Sequence, residues 1–245
     1  MHATLRGFDI RPATVKDIPR LAELEMIAFG NTGVHPYDHT YFECWLEINP
    51  TGLLVATRND RVVAYRYSQY VNFSLDDIPN LTTNDAFTDR GFTRSTHRAD
   101  GNCINGVTVC SDERGAGRVL FEAIFQQLET DRRRYYFGFA RISGFDAYCR
   151  KLERDSVNTG AYSPQAIANW YATQCALSVN GKIWKQVTPE RLDLPTPTDP
   201  DPVLSKYLKH HGFGIAAILP NWMVDPESRD FGVLVLFKNP LLQLP

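Results

Sequence analysis

Hydrophobic positions along the chain change period several times, and each change marks an element. Ile18, Leu21, Leu24 and Ala28 recur at helical spacing behind Thr14, an N-cap residue that Asp17 answers three positions on. Residues 30–33, with Gly30 and Gly33, stop that helix, and a second helix is predicted over about 37–47. The β-rich runs 53–57 and 62–67 flank the polar residues 58–61, which predicts a hairpin with a four-residue turn. Residues 72–100 carry little periodicity and read as a long loop. A strand over 104–109 is followed by a helix over about 117–130, with Leu120, Ala123, Ile124 and Leu128 on one face.

The helix ends in Arg132, Arg133 and Arg134, cations where the helix dipole favours them. A strand at 135–140 comes next. Ser163 and Pro164 then open a helix through Trp170 to about 176, as an N-cap followed by proline at the first helical position. The proline-rich 194–200 is a linker, a helix runs from 201 to His211, and Gly212 ends it. Strands at 213–219 and 231–237 close the order. The pattern predicts a mixed α/β fold, a sheet with helices on its faces. It reads as one domain over 1–245 with an inserted segment at about 146–200.

Composition narrows the partners. A hydrophobic fraction of 43%, a charged fraction of 22% and a net charge of −2 give no reason to expect nucleic acid as the partner. No apolar run approaches the ~18 residues of a spanning helix, and the N-terminal residues lack a signal-peptide pattern, so no membrane is expected. The five cysteines are odd in number, scattered and without a C-x-x-C pair, which argues against a disulfide framework and a metal site. A cytoplasmic setting is the expectation.

The candidate chemistry lies between the 104–109 strand and the helix that follows it. Arg114, Gly115, Ala116, Gly117, Arg118 and Val119 form a glycine-bearing turn at a helix N-terminus, where free N–H groups and the dipole favour an anion. Glycine lets the backbone approach a bulky guest, and a pyrophosphate suits such a turn. A tight strand-to-helix turn also uses glycine with no ligand at all, so the spacing alone leaves both readings open.

Together with the early Ile10, Arg11, Pro12, Ala13, Thr14 segment, the hairpin and the late Gly212–Phe213, this loop resembles the GNAT acyltransferase superfamily over about 8–145 and 201–238. Arg114 and Gly117 match the family's Arg/Gln-x-x-Gly-x-Gly/Ala loop; Val119 stands where the family has a small residue, and Ser111 where it has proline. The resemblance implies a GNAT-type, mostly antiparallel sheet and an acetyl-CoA or other short acyl-CoA cosubstrate, with no metal. By the same resemblance Val107, Thr108 and Val109 lie along the pantetheine arm, and the N–H groups of residues 114–119 cradle the pyrophosphate. It also implies an acyltransferase that moves an acetyl or short acyl group to an amine of an unidentified acceptor, small molecule or carrier protein, and a homodimer is open as the assembly.

A narrower resemblance is to GNAT-like domains of polyketide loading modules. It rests on Arg11 to Thr14, Asp17, Leu21 and Glu25, on Tyr67 to Gln69, and on Asp201, His211–Gly212, Asn221–Trp222 and Asp225. Those domains use a histidine, a threonine and an arginine. Anchored on Gly212, these positions hold Leu208, a residue near Ala140, and Met223. The resemblance therefore argues for shape rather than decarboxylation, and leaves a carrier-protein acceptor open, as it does a catalytically inactive binding module.

The family's thiol-protonating tyrosine also falls on Leu208. Tyr207, one residue earlier and about 100° around the helix, and His210 are the candidate catalytic residues, against packing and capping as the plainer readings. His97, Asp100, Cys103 and Cys110 are further candidates near the strand, and Tyr65, Tyr67, Tyr70 and Trp222 are candidates to line an acceptor cleft.

Overall fold

The computed structural model describes residues 3–242. They divide into two compact units: residues 3–80, 84–137 and 238–242 form one, Leu81–Thr83 and Gly138–Phe237 the other.

The first unit holds β1 (Ala3–Leu5), β2 (Phe8–Pro12), α1 (Ile18–Phe29), α2 (His39–Ile48), β3 (Leu53–Arg58) and β4 (Arg61–Val71). It continues through α3 (Asn84–Thr88), β5 (Cys103–Ser111) and α4 (Ala116–Thr130) into β6 (Tyr135–Arg141). Strands β1 to β5 pair antiparallel in chain order. The second unit carries the rest of β6, α5 (Phe145–Arg154), α6 (Pro164–Ser178), β7 (Lys182–Ile183), α7 (Leu204–His211), β8 (Gly214–Leu219) and β9 (Gly232–Lys238). There β8 runs antiparallel to β9 and parallel to β7. The class is mixed α/β, a mostly antiparallel sheet flanked by helices, as the pattern predicts.

Local chemistry sets the element ends. The Asp17 carboxylate accepts the Thr14 N–H and hydroxyl at 2.8 and 2.9 Å and the Arg11 guanidinium through two 2.8 Å bonds, so the chain makes one 3-10 turn before α1. The β3–β4 hairpin turns on two residues rather than four. Asn59 and Asp60 take φ of 50° and 60°, the left-handed pair whose twist matches the strands. Ser163 Oγ accepts the Ala166 N–H at 3.1 Å and caps α6. Helix α7 begins at Leu204, later than 201, because the Asp201 carboxylate accepts the Val203 and Leu204 N–H groups at 2.9 and 2.8 Å. Strand β1 has no sequence signal strong enough to predict it.

Residues 72–100 are more ordered than their pattern implies. A 3-10 turn at Leu75–Asn80 and α3 precede a tight turn in which Asp89, Arg90, Gly91 and Thr93 all have positive φ. Side chains of α2 and β4 hold that turn: Trp45 Nε1 donates to Gly91 O at 2.8 Å, and the Tyr67 and Thr93 hydroxyls are 2.8 Å apart.

Two apolar clusters form the core of the first unit. Leu21, Leu24, Phe42 and Trp45 of α1 and α2 pack with Leu53, Val55, Tyr65, Tyr67 and Cys110. Ala116, Val119, Leu120 and Ala123 of α4 pack with Phe8, Ile10, Leu54, Ala56 and Val63. Burial of each such Val, Leu, Ile or Phe contributes ~1.5–3 kcal/mol. All five cysteines are free and buried. Among the described residues no helix is long and apolar enough to cross a membrane, and no group of three His, Cys, Asp or Glu is placed to hold a metal ion.

Candidate functional site

Strand β5 carries one residue more than its ladder with β4 requires. Thr108 faces Tyr67 and Gly106 faces Ser68, so Val107 is a bulge with no partner on β4. Beyond it, Thr108 and Cys110 share a face with Tyr67 and Tyr65, and Val109 packs toward α4. Gly106 is fixed by a neighbour: a Cβ there would come within 2.3 Å of the Tyr136 hydroxyl.

The turn from β5 into α4 is braced by ion pairs. Asp112 is held by Arg20 and by Arg61, the latter at 2.6 Å, and Glu113 is held by Arg58, whose guanidinium lies 3.8 Å over the Phe8 ring. Arg118 pairs with Glu122 at 3.1 Å, and Arg6 reaches the same carboxylate at 3.1 Å. Arg114 alone in this turn is exposed and without an ion-pair partner among the described residues.

Gly115 precedes α4 with φ 91°, a left-handed conformation that demands glycine. The Ala116, Arg118 and Val119 N–H groups donate to Glu113 O, Gly115 O and Gly115 O at 3.2, 3.1 and 3.3 Å. Those of Arg114, Gly115 and Gly117 find no acceptor among the described residues. Three free donors and an unpaired guanidinium thus sit at the positive end of a 15-residue helix.

Gly117 differs from Gly115. Its φ is unexceptional, and a Cβ would meet only Ser111 Cβ, at 3.9 Å. The Val119 side chain is fully buried in the core beneath α4, so its branch does not face the turn.

On the other face of β5, the Glu25 carboxyl of α1 is fully buried. Its Oε1 accepts the Tyr65 hydroxyl, the Thr108 hydroxyl at 2.9 Å and the Cys110 thiol at 3.3 Å, and its Oε2 accepts the Tyr37 N–H at 3.4 Å. Burial pushes this carboxyl above the ordinary carboxylate range, against the pull of those donors. Burial likewise raises the Tyr65 hydroxyl and the Cys110 thiol. Among the three donors to Oε1, Tyr65 and Cys110 are buried and Thr108 is half-buried.

The sequence singled out Thr108 as a neighbour of the pantetheine arm and Glu25 only as part of a resemblance. Their contact was invisible because the helix and strand that meet there lie far apart in the chain. Val107, Thr108, Val109 and residues 114–118 are gathered along one strand end and turn, as their adjacency requires.

The other candidates divide. Tyr65 and Tyr67 are fully buried and Trp222 is buried against Phe139 at 4.0 Å, so these rings are core packing rather than an open lining. Tyr70 donates to Asp131 at 2.9 Å beneath the Arg133 guanidinium. His97 Nδ1 accepts the Tyr70 N–H at 3.2 Å, and burial with Arg133 and Arg98 nearby lowers its pKa. Asp100 is exposed. Burial raises the Cys103 thiol to about 12. In the second unit Tyr207 is half-buried and edge-on to Phe213, with ring centroids 5.6 Å apart. Leu208 and Ala140 are buried, and the His210 side chain lies outside the described residues.

No protein-family model matches the sequence, and no curated protein is significantly similar to it. Solved structures are similar in fold. The loading GNATL domain of CurA from Lyngbya majuscula is 17% identical, with 95% of this chain and 98% of that chain covered and a TM-score of 0.59. The GphF GNAT-like decarboxylase, solved in complex with isobutyryl-CoA, is 15% identical, with 94% and 98% covered and a TM-score of 0.62. The yncA protein from Salmonella typhimurium, solved with its cofactor acetyl-CoA, is 14% identical, with 98% of both chains covered and a TM-score of 0.51. Likeness at this identity is likeness of fold: the chain has the GNAT fold, and a loading GNATL domain and a GNAT-like decarboxylase are among its structural neighbours.

Proposed function

We propose that this chain binds an acyl-coenzyme A along β5 and at the β5–α4 turn, and transfers its acetyl or short acyl group to an amine. Gly117 carries the reading. At a helical position with room for a methyl group, alanine is favoured over glycine by ~1 kcal/mol, so the fold alone gives no reason for glycine there. A guest that must approach the backbone closely does. The free N–H groups of Arg114, Gly115 and Gly117 and the unpaired Arg114 guanidinium suit a pyrophosphate. Ala116, Arg118 and Val119 complete that turn, and the backbone of Val107, Thr108 and Val109 is assigned to the pantetheine arm.

In the reaction the amine loses a proton and attacks the thioester carbonyl carbon, the C–S bond breaks, and the departing thiolate takes a proton. Tyr207 is the candidate donor of that last proton. Tyr207→Phe tests it, because phenylalanine keeps the edge contact with Phe213 and removes only the hydroxyl. Calorimetric titration of the full chain with acetyl-CoA tests the binding half. Saturable heat at micromolar to millimolar ligand is expected, and none at millimolar ligand would sink the proposal.

A second reading has one observation in its favour, the structural likeness to two polyketide GNAT-like domains over nearly the whole chain. Here the acceptor is a carrier-protein phosphopantetheine thiol. Incubation with acetyl-CoA and a panel of phosphopantetheinyl carriers with free thiols would add one acetyl mass to a carrier. Robust acetylation of an amine with no carrier labelled would remove this reading.

A further inference from the structure

A buried carboxyl that accepts four donors needs a reason. Taking a carboxylate out of water costs several kcal/mol even with hydrogen bonds to compensate, and apolar side chains would fill the space between α1 and β5 without that cost. Anchoring the α1–α2 connection explains the Tyr37 N–H bond on Glu25 Oε2, the longest of the set at 3.4 Å. It leaves unexplained why Tyr65, Thr108 and Cys110 all point at Oε1.

Thr108 supplies the reason. Of the three donors to Oε1 it is the half-buried one, on the strand assigned to the thioester arm, immediately after the bulge at Val107. Its hydroxyl proton is committed inward to Glu25 at 2.9 Å, which leaves its oxygen lone pairs to accept from outside. A hydroxyl that donates to a carboxylate is a better acceptor in its turn.

We propose that Thr108 is the catalytic residue that takes the proton of the attacking amine, and that Glu25 is the positioning residue that draws the Thr108 proton inward. The inference rests on the acyltransferase reading of this site. The acceptor's ammonium passes one proton to Thr108 Oγ1 as the Thr108 hydroxyl proton moves to Glu25 Oε1. The neutral amine forms the C–N bond, the C–S bond breaks, the departing thiolate takes its proton from the donor named above, and the amine's second proton restores that donor. Glu25 returns its proton through Thr108 to water, so one amide, one coenzyme A thiol and one proton leave.

Glu25 is the carboxyl of this cluster, and burial raises it above the ordinary carboxylate range. Tyr65 from β4 and Cys110 from β5 are pushed upward by burial, Tyr37 of the α1–α2 connection likewise, and α2 contributes the uncharged Phe42 and Trp45. A carboxyl raised by burial is a stronger proton acceptor than an ordinary carboxylate, and the Thr108 hydroxyl at 2.9 Å is placed to deliver the proton.

The test compares the full-length parent with Glu25→Gln, Thr108→Val and Thr108→Ser. Acetyl-CoA binding is measured by calorimetry, and coenzyme A release by a thiol reagent, with ethanolamine and hydroxylamine as nucleophiles over the neutral pH range. Ethanolamine is protonated there and needs a base; hydroxylamine is uncharged. Glu25→Gln and Thr108→Val are each expected to slow ethanolamine turnover about 100-fold. Both should keep acetyl-CoA affinity and leave hydroxylamine turnover within a few-fold, and Thr108→Ser should restore the parent rate. The parent rate with ethanolamine should fall as pH drops through the Glu25 ionisation, and Glu25→Gln should lack that limb. If Glu25→Gln does not fold, Thr108→Val against Thr108→Ser decides. Equal losses with both nucleophiles, no loss in Thr108→Val, or binding without turnover of either amine would overturn the relay while leaving the binding site standing. Failure of the parent to bind acetyl-CoA would instead remove the reading beneath it.

Discussion

Trp45 of α2 lies flat on Tyr67 of β4, ring centroids 4.2 Å apart and planes within 4° of parallel. The Trp45 indole N–H reaches Gly91 O and the Tyr67 hydroxyl meets Thr93, so the stack pins the strained turn at 89–93 to the sheet. Trp45→Ala should cost ~3–5 kcal/mol, the range for removing a buried large aromatic. Trp45→Phe should cost ~1–3 kcal/mol, chiefly by stranding the buried Gly91 carbonyl. Urea unfolding measures both. A shift in midpoint at unchanged slope is the expected form, and a Trp45→Phe protein as stable as the parent would show that the carbonyl finds another donor.

Gly115 and Gly117 should answer substitution in opposite ways. Gly115→Ala forces a left-handed alanine and should destabilise by ~1–2 kcal/mol. Gly117→Ala has room and should leave thermal stability equal or raise it by up to ~1 kcal/mol, while weakening acetyl-CoA at least tenfold. Unfolding curves beside calorimetric titrations separate the two. Unchanged affinity in a stabilised Gly117→Ala would leave that glycine without an explanation.

Arg114→Ala should lower acetyl-CoA affinity and flatten its salt dependence at unchanged melting temperature, because Arg114 has no partner in the protein to lose. Arg118→Ala breaks an exposed pair with Glu122 and should shift stability by less than ~1 kcal/mol. Titrations at two salt concentrations check both. Identical salt slopes for Arg114→Ala and the parent would place the anion elsewhere.

Two buried carboxyls give pH dependences of opposite sign. Burial raises Asp225, but the Arg141 fork at 2.7 and 2.8 Å and the Ser228 hydroxyl outweigh it and hold it below the ordinary range. The native state then binds this proton more weakly than the unfolded chain, so the stabilisation is present above ~3.9 and is lost as pH falls through the lowered value. Glu25 is raised, so its contribution is present below ~4.3 and is lost as pH rises through the elevated value. Unfolding free energy across pH for Asp225→Asn should lack the acid-side loss, and Glu25→Gln should lack the fall as pH rises through the elevated Glu25 ionisation. Parallel curves for parent and variants would overturn the assignments.

The sheet-forming runs, the amphipathic helices and the glycine turn were legible because each is a local pattern with a local cause. Ser163, Gly212 and Gly115 announce element ends by their own chemistry. The sequence marked Val119 as a branched residue where the resemblance has a small one; the helix period carries that branch into the core with Leu120 and Ala123. The 72–100 stretch read as loop because its order comes from Trp45 and Tyr67, distant in sequence. Glu25 fits the helical pattern as a polar position between apolar ones; only the packing of α1 on β5 turns it inward. Alternation would have grouped Asn105 with Val107 and Val109. The ladder instead sets Asn105 opposite Gln69, on the face of Thr108 and Tyr67.

That regrouping belongs to Val107. Because Gly106 already faces Ser68 and Thr108 already faces Tyr67, deleting Val107 would close the ladder with every other side chain on its present face. The strand holds one residue to spare here, so its length can fall by one at the bulge without inverting its two surfaces. Its polar stripe of Asn105, Thr108 and Cys110 is therefore written in a shifted frame, and the surplus residue is the point where the frame changes.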